Sequence, residues 1–179
     1  MSTTSWALDP SHSEIQFKVK HLVISTVTGH FGAFSVSATS EGNNFEGGTV
    51  AFSIEVASVT TNQEKRDVHL KSAEFFSADK YPAITFASTT IMAKGNDKYD
   101  IVGYLTIKDV TTPFTFEAEF GGYATDVYGN NKVGFEVSGI LSRAAFGLVW
   151  DSITEAGSIV LGDEIKLSAN IQLAEVVPA

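Results

Sequence analysis

The chain has 179 residues, 44% of them hydrophobic and 18% charged, with a formal net charge of −9 and no cysteine. That content suits one globular domain with a sizeable core, and it excludes disulfides, thiolate metal ligands and thiol nucleophiles. The acidic balance argues against a general nucleic-acid binder and against adsorption to an anionic membrane, while leaving room for one anionic ligand in a locally basic pocket.

The opening stretch, MSTTSWALDP, has neither the basic nor the apolar region of a signal peptide. No segment approaches the ~20 apolar residues of a spanning helix. The expectation is a cytoplasmic protein without stable membrane insertion.

Period-two alternation follows. In EIQFKVKHL, residues Ile15, Phe17, Val19 and His21 share a face opposite Gln16, Lys18 and Lys20. AFSVSATS sets Phe34, Val36 and Ala38 against Ser35, Ser37 and Thr39, and TVAFSIEVAS sets Val50, Phe52, Ile54 and Val56 against Ser53 and Glu55. After a long connection at 57–82, AITFAS contributes Ile84 and Phe86, and YDIVGYLTIK contributes Tyr99, Ile101, Gly103, Leu105 and Ile107. PFTFEAEF gives Phe114, Phe116, Ala118 and Phe120; VGFEVSGIL gives Val133, Phe135, Val137, Gly139 and Leu141. EIKLSANIQL closes the series with Ile165, Leu167, Ala169, Ile171 and Leu173.

These eight segments are separated by turn-rich breaks at 41–44, 94–97, 108–113 and 128–131. A helical turn or two is predicted only around residues 62–73. There is no βαβ rhythm, repeat or linker, so the prediction is an all-β, antiparallel fold in one domain over 1–179. One-sided strands can close as a sandwich, as a soluble barrel with the apolar face inward, or as a membrane barrel with that face outward. The absent export signal and the long connection disfavour the last. Between sandwich and hollow barrel the pattern is undecided, because the small residues Ala38, Gly103, Ala118, Gly139 and Ala169 can either be mates for large neighbours or leave a void.

Three constellations invite chemistry. His12, His21 and His30 recur at nine-residue intervals, but metal ligands must converge on one ion. Extended chain places His12 about 30 Å from His21 at ~3.3 Å per residue. His21 faces the interior, either bonded to backbone or offered to a ligand. In RDVHLKSAEFF (66–76), Asp67 and His69 diverge on a helix and lack a G-x-S-x-G nucleophile. A polar plug crossing one barrel end, anchored by Phe75 and Phe76, accounts for them better than a dyad. In LSRAAFGLVW (141–150), Arg143 points toward the interior and needs a partner: a carbonyl clasp, Asp151, Glu155 or a ligand's anionic group. Phe146 and Trp150 are candidates to close that end.

The blocks WALDPSHSEIQFKVKHLVISTVTGHFGAF, KRDVHLKSAEFFSADKYPAITFAS, VGYLTIKDVTTPFTFEAEFGG and GFEVSGILSRAAFGLVW together resemble the YceI-like family, in order, over about residues 6–174. The resemblance implies an extended, lipocalin-like eight-stranded antiparallel barrel that holds a polyisoprenoid, an isoprenoid quinone or another long-chain amphiphile. Matching positions include Trp6, Asp9, His12, Arg66, Asp67, His69, Arg143 and Phe146. Asp109 stands where the family commonly has glycine, and Ala145 where an acidic residue is frequent. The resemblance brings no catalytic residues, cofactor or metal.

The expectation is thus a non-enzymatic carrier of a long-chain amphiphilic lipid, possibly homodimeric, with a tunnel roughly 25 Å tall. Expected lining residues are Phe17, Val19, Phe52, Ile54, Leu105, Ile107, Phe116 and Phe135. His21 and Arg143 are the polar contacts; Phe146 and Trp150 form the closure. The alternatives are an isomerase or hydrolase on the same barrel, and a filled barrel serving as an interaction module.

Overall fold

A computed structural model of the chain describes residues 3–21, 25–42, 44–73, 76–148 and 161–177. Among them are eleven strands: β1 (Thr3–Leu8), β2 (Glu14–His21), β3 (Ser25–Phe31), β4 (Phe34–Glu41), β5 (Asn44–Glu55), β6 (Val59–Thr60), β7 (Ala83–Gly95), β8 (Lys98–Ile107), β9 (Val110–Thr125), β10 (Asn131–Ser142) and β11 (Leu161–Glu175). Helix α1 spans Glu64–Lys71, inside the predicted helical stretch.

The strands run β1-β4-β5-β7-β8-β9-β10-β11, all antiparallel, and β11 returns to β1 to close the ring. β11 first pairs β2 (Ala169 with Ile15) and then β1 (Leu173 with Leu8), so β1 and β2 are one stave with a break. β3 pairs β2 and runs into β4, which pairs β1, making a second bent stave. The eight predicted strands are therefore the eight staves of a closed barrel. The halves missed, β1 and β3, are the polar segments TTSWAL and STVTGHF, whose alternation is weak.

The break between β1 and β2 has a chemical cause. Pro10 cannot donate to a ladder, and residues Pro10–His12 form a 3₁₀ turn whose preceding Asp9 side chain accepts from the Ser11 amide. Asp9 is the buckle of this corner: Lys132 Nζ on β10 lies 2.7 Å from Oδ2, Gln172 Nε2 on β11 donates to it at 3.1 Å, and His12 Nδ1 lies 3.0 Å away. The hydrogen bond from Lys132, then that from His12, holds the Asp9 carboxyl well below its ordinary range against the opposing effect of burial.

Inward faces carry the core, and the outward faces are polar, the reverse of a barrel that presents its apolar face to lipid. Two irregularities move residues off simple parity. A bulge between Ser88 and Thr90 turns Ile91, not its even-numbered neighbours, inward after Ile84 and Phe86. At Gly47–Gly48 the chain takes a positive φ at Gly47, and a Cβ at Gly48 would meet the Thr39 carbonyl oxygen at 2.1 Å. That kink brings Phe45 into the core although Val50, Phe52 and Ile54 lie on the opposite parity.

The small inward residues divide into two groups. Gly29, Gly103 and Gly139 are mates: a Cβ at each would strike the ring of Phe17, Phe86 or Phe114. Ala38, Ala118 and Ala169 line the inner hollow instead. At the β8–β9 turn the left-handed residue is Lys108 (φ 56°), so having Asp109 where the family commonly has glycine imposes no such strain.

We expect Asp9→Asn to lower the thermal midpoint at neutral pH by roughly 5 °C. A carboxyl held below its ordinary value of 3.8 stabilises fully above that pH, and its contribution fades as pH falls through the lowered value. The wild-type protein should therefore lose stability more steeply below pH 4 than Asp9→Asn, measured by thermal unfolding across pH.

Candidate functional site

The barrel has two unlike ends. At the turn end, where the hairpins 41–44, 95–98 and 125–131 gather, the interior is capped by aromatic rings. Phe45 sits 5.8 Å from Trp6, 5.0 Å from Phe135 and 6.4 Å from Phe120, centroid to centroid. Trp6 is pinned by its indole N–H, which donates to Ser40 Oγ at 2.8 Å within the core. At the other, helix end, β3 pairs only β2 and the two-residue β6, and α1 with its flanking loops covers the gap.

Between these ends lie two adjoining hollows. The inner one, about 150 Å³, is walled almost wholly by apolar groups, among them Val36, Ala38, Val50, Phe52, Ile54, Phe86, Leu105, Phe116, Ala118, Phe135 and Ala169. The outer one, about 440 Å³, lies at the helix end against Phe17, Val19, Val27, Leu70, Phe76, Leu148 and Ile165. Phe31, Ile84, Ile107, Leu141 and Leu167 border both. The interior space is two adjoining hollows, the larger at the helix end and the smaller set inward among phenyl rings. Phe86, for example, stands 5.3 Å from Phe52 and 5.0 Å from Phe116.

The outer hollow has a polar rim: Gln63, Lys65, Arg66 and His69 from α1 and the residue before it, and Arg143 from the end of β10. Gln63 and Lys65 are solvent-exposed while lining it, which places the opening there. Arg143 is 4% exposed. It takes the carbonyl clasp that was one of its expected partners: Nη1 donates to the Leu148 carbonyl at 2.6 Å. Its backbone N–H donates to the Asp163 carbonyl, and the Asp163 carboxylate receives Ser142 Oγ at 2.7 Å and the Ala144 N–H at 2.9 Å. Those bonds, the Ser142 one foremost, hold the Asp163 carboxyl below its ordinary range. Asp163 thus supplies an acidic group at the corner where Ala145 replaces the family's frequent acidic residue.

The segment RDVHLKSAEFF is a latch in its geometry. Asp67 Oδ1 accepts from the Thr61 N–H at 2.7 Å and from the Thr61 hydroxyl. Arg66 donates Nε to Thr61 Oγ1 at 2.7 Å and Nη2 to the Thr61 carbonyl at 2.9 Å. The loop entering α1 is thereby tied to the helix, and Asp67 is directed to Thr61 rather than to His69. Phe76 is buried 6.3 Å from Phe31; Phe75 lies outside the described residues.

Of the sequence-derived lining residues, Phe52, Ile54, Leu105, Phe116 and Phe135 border the inner hollow, Phe17, Val19 and Arg143 the outer, and Ile107 both. Phe146, the last residue of the 3₁₀ turn that follows Arg143, is buried in the core without lining either hollow. Trp150 and the side chain of His21 lie outside the described residues. His12 belongs to the Asp9 buckle and His30 pairs with Gln16 and Thr60, so these two are not brought together. Sequence reading missed Phe45 and the rim residues Gln63 and Lys65. The Gly-Gly pair at 47–48 was a signal for the first; nothing local marked the others.

The geometry defines a class: closed antiparallel β-barrels with an apolar interior hollow beside a polar-rimmed one. Residues 6–173 match the YceI-like domain, and the chain belongs to that family. A UPF0312 protein of Staphylococcus aureus (strain USA300) is 33% identical over 96% of this chain and 98% of its own length. The Campylobacter jejuni YceI protein superposes with a TM-score of 0.75 at 33% identity, covering 95% of this chain and 97% of that one. BcnA of Burkholderia cenocepacia gives a TM-score of 0.81 at 21% identity over 92% and 98% of the two chains. A polyisoprenoid binding domain from Saccharophagus degradans, implicated in plant cell wall breakdown, shares the fold with a TM-score of 0.68 at 15% identity over 96% and 98%.

If the latch is structural, Asp67→Ala should cost about 1–2 kcal/mol in chemical denaturation. It should also raise hydrogen exchange at the Thr61 amide and across α1, with exchange in β8–β10 unchanged.

Proposed function

We propose that this protein binds and carries, or sequesters, a long-chain isoprenoid-like lipid, such as a polyisoprenoid or the tail of an isoprenoid quinone, with the tail inside the barrel. The observation that carries the reading is the apolar hollow itself. Its inner wall, around Ala38, Ala118 and Ala169, leaves space that the neighbouring rings do not fill. An apolar chain replaces nothing polar there. About ten buried methylene equivalents at ~0.8 kcal/mol each offset roughly 8 kcal/mol of lost rigid-body freedom. The same fold in a domain described as polyisoprenoid binding supports the choice of ligand class.

The lipid enters at the helix end. Its leading carbons pass Phe31, Ile84, Ile107, Leu141 and Leu167, the residues common to both hollows. Deeper entry turns the rings of Phe52, Phe86 and Phe116. A non-catalytic role fits Asp67, whose carboxylate secures a loop.

Native mass spectrometry of freshly purified protein, followed by solvent extraction, should detect a bound lipid. Ala118→Phe fills the inner hollow, and Ala169→Leu does so with less strain. Both should cut lipid retention at least tenfold while circular dichroism stays that of the barrel. Undiminished retention in both folded variants would reject the hollow as the site.

A further inference from the structure

We propose that Phe45 sets the longest tail the barrel accepts: the far end of the lipid stops against its ring, so the protein selects ligands by tail length. This rests on the lipid-binding reading above and adds to it the residue that chooses among tails. Phe45 lines the inner hollow at the turn end together with Phe135, 5.0 Å away. Trp6 and Phe120 lie against the same ring, at 5.8 and 6.4 Å, yet neither borders the hollow. Phe45 therefore stands between the hollow and a further aromatic layer. Phe120 leads from that layer to the exposed Tyr123, 4.8 Å on.

The ring is held in place by what surrounds it. Trp6 is fixed by its indole N–H, which donates to the buried Ser40 Oγ, and that hydroxyl donates in turn to the Gly42 carbonyl at 2.7 Å. Trp6 cannot swing aside without stranding a buried donor. On the side of its own strand, the kink at Gly47–Gly48 aims Phe45 inward, and the Thr39 carbonyl leaves no room for a side chain at Gly48. A tail gains only while its carbons stay out of water. Each methylene that the ring keeps from entering is left at the mouth and forfeits about fourfold in binding. The position of Phe45 thus converts into a cut-off in length, whereas the walls nearer the opening meet tails of every length alike.

The test varies the tail at constant head. The full chain is loaded from one detergent mixture holding equimolar geraniol, farnesol, geranylgeraniol and longer all-trans prenols. After detergent removal, the captured prenols are extracted and quantified by mass spectrometry. The wild type should take prenols up to one length and the next homologue at least tenfold less. Phe45→Ala should raise capture of that next homologue at least fivefold relative to the shorter ones. Phe45→Leu, which leaves a smaller cavity and disturbs folding less, should move the ratio in the same direction. Because the ratio compares tails within one sample, a loss of folded protein does not change it. If neither folded variant moves the cut-off, or if the wild type takes all lengths alike, the assignment to Phe45 is wrong while the lipid-binding reading survives. If the wild type captures no prenol, both fail.

Discussion

Each stave of the barrel turns one row of side chains inward, and at the helix end Phe76, Phe146 and Leu148 add to that filling from outside the staves. Whether the interior is solid or hollow is therefore a question of side-chain volume, row by row. Where a phenyl ring faces a glycine, as Phe17 over Gly29 or Phe114 over Gly139, the gap is closed. Where alanines face the axis, at Ala38, Ala118 and Ala169, it stays open. Tight packing is the rule in protein interiors, so a persistent apolar void is a feature to be explained by what occupies it.

The ends of the barrel are built by different means. The turn end is filled from within by aromatic rings, with Phe45 meeting Phe135 edge to face, a geometry that rigid rings favour. The Asp9 buckle ties its corner, binding β10 and β11 to the bend between β1 and β2. The helix end is covered by a short segment held through hydrogen bonds: Asp67 and Arg66 on Thr61, and Arg143 on the Leu148 carbonyl. A hydrogen-bonded cover opens locally at less cost than a packed aromatic plug. The wide, polar-rimmed hollow lies beneath that cover.

The chain belongs to the YceI-like family. The staves supply an apolar interior, and the rim supplies direction. A chain of carbons offers nothing for hydrogen bonds to recognise, so discrimination among head groups falls to the few side chains at the opening. The polar side chains at this opening include Lys65, Arg66, His69 and Arg143.

Much of this was legible in the amino-acid order. Alternation with period two marked all eight staves, because a half-buried strand needs opposite polarity on its two faces. Inward parity identified Phe52, Ile54, Leu105 and Phe116 as residues that border the hollow. In RDVHLKSAEFF, read as a polar latch, Arg66 and Asp67 hydrogen-bond to Thr61. Other features depended on what folds against what. Ile91 and Phe45 lie inward because a bulge and a glycine kink shift parity, an effect set by the partner strand. The sequence could not say that Gly103 and Gly139 are filled while Ala118 borders the hollow, since that depends on which ring leans over from the neighbouring stave. Nor could it show that Lys65 and Arg143, far apart in the chain, border one opening. Periodicity is a local property; volume and charge at a closed barrel's mouth are sums over strands that only closure brings together.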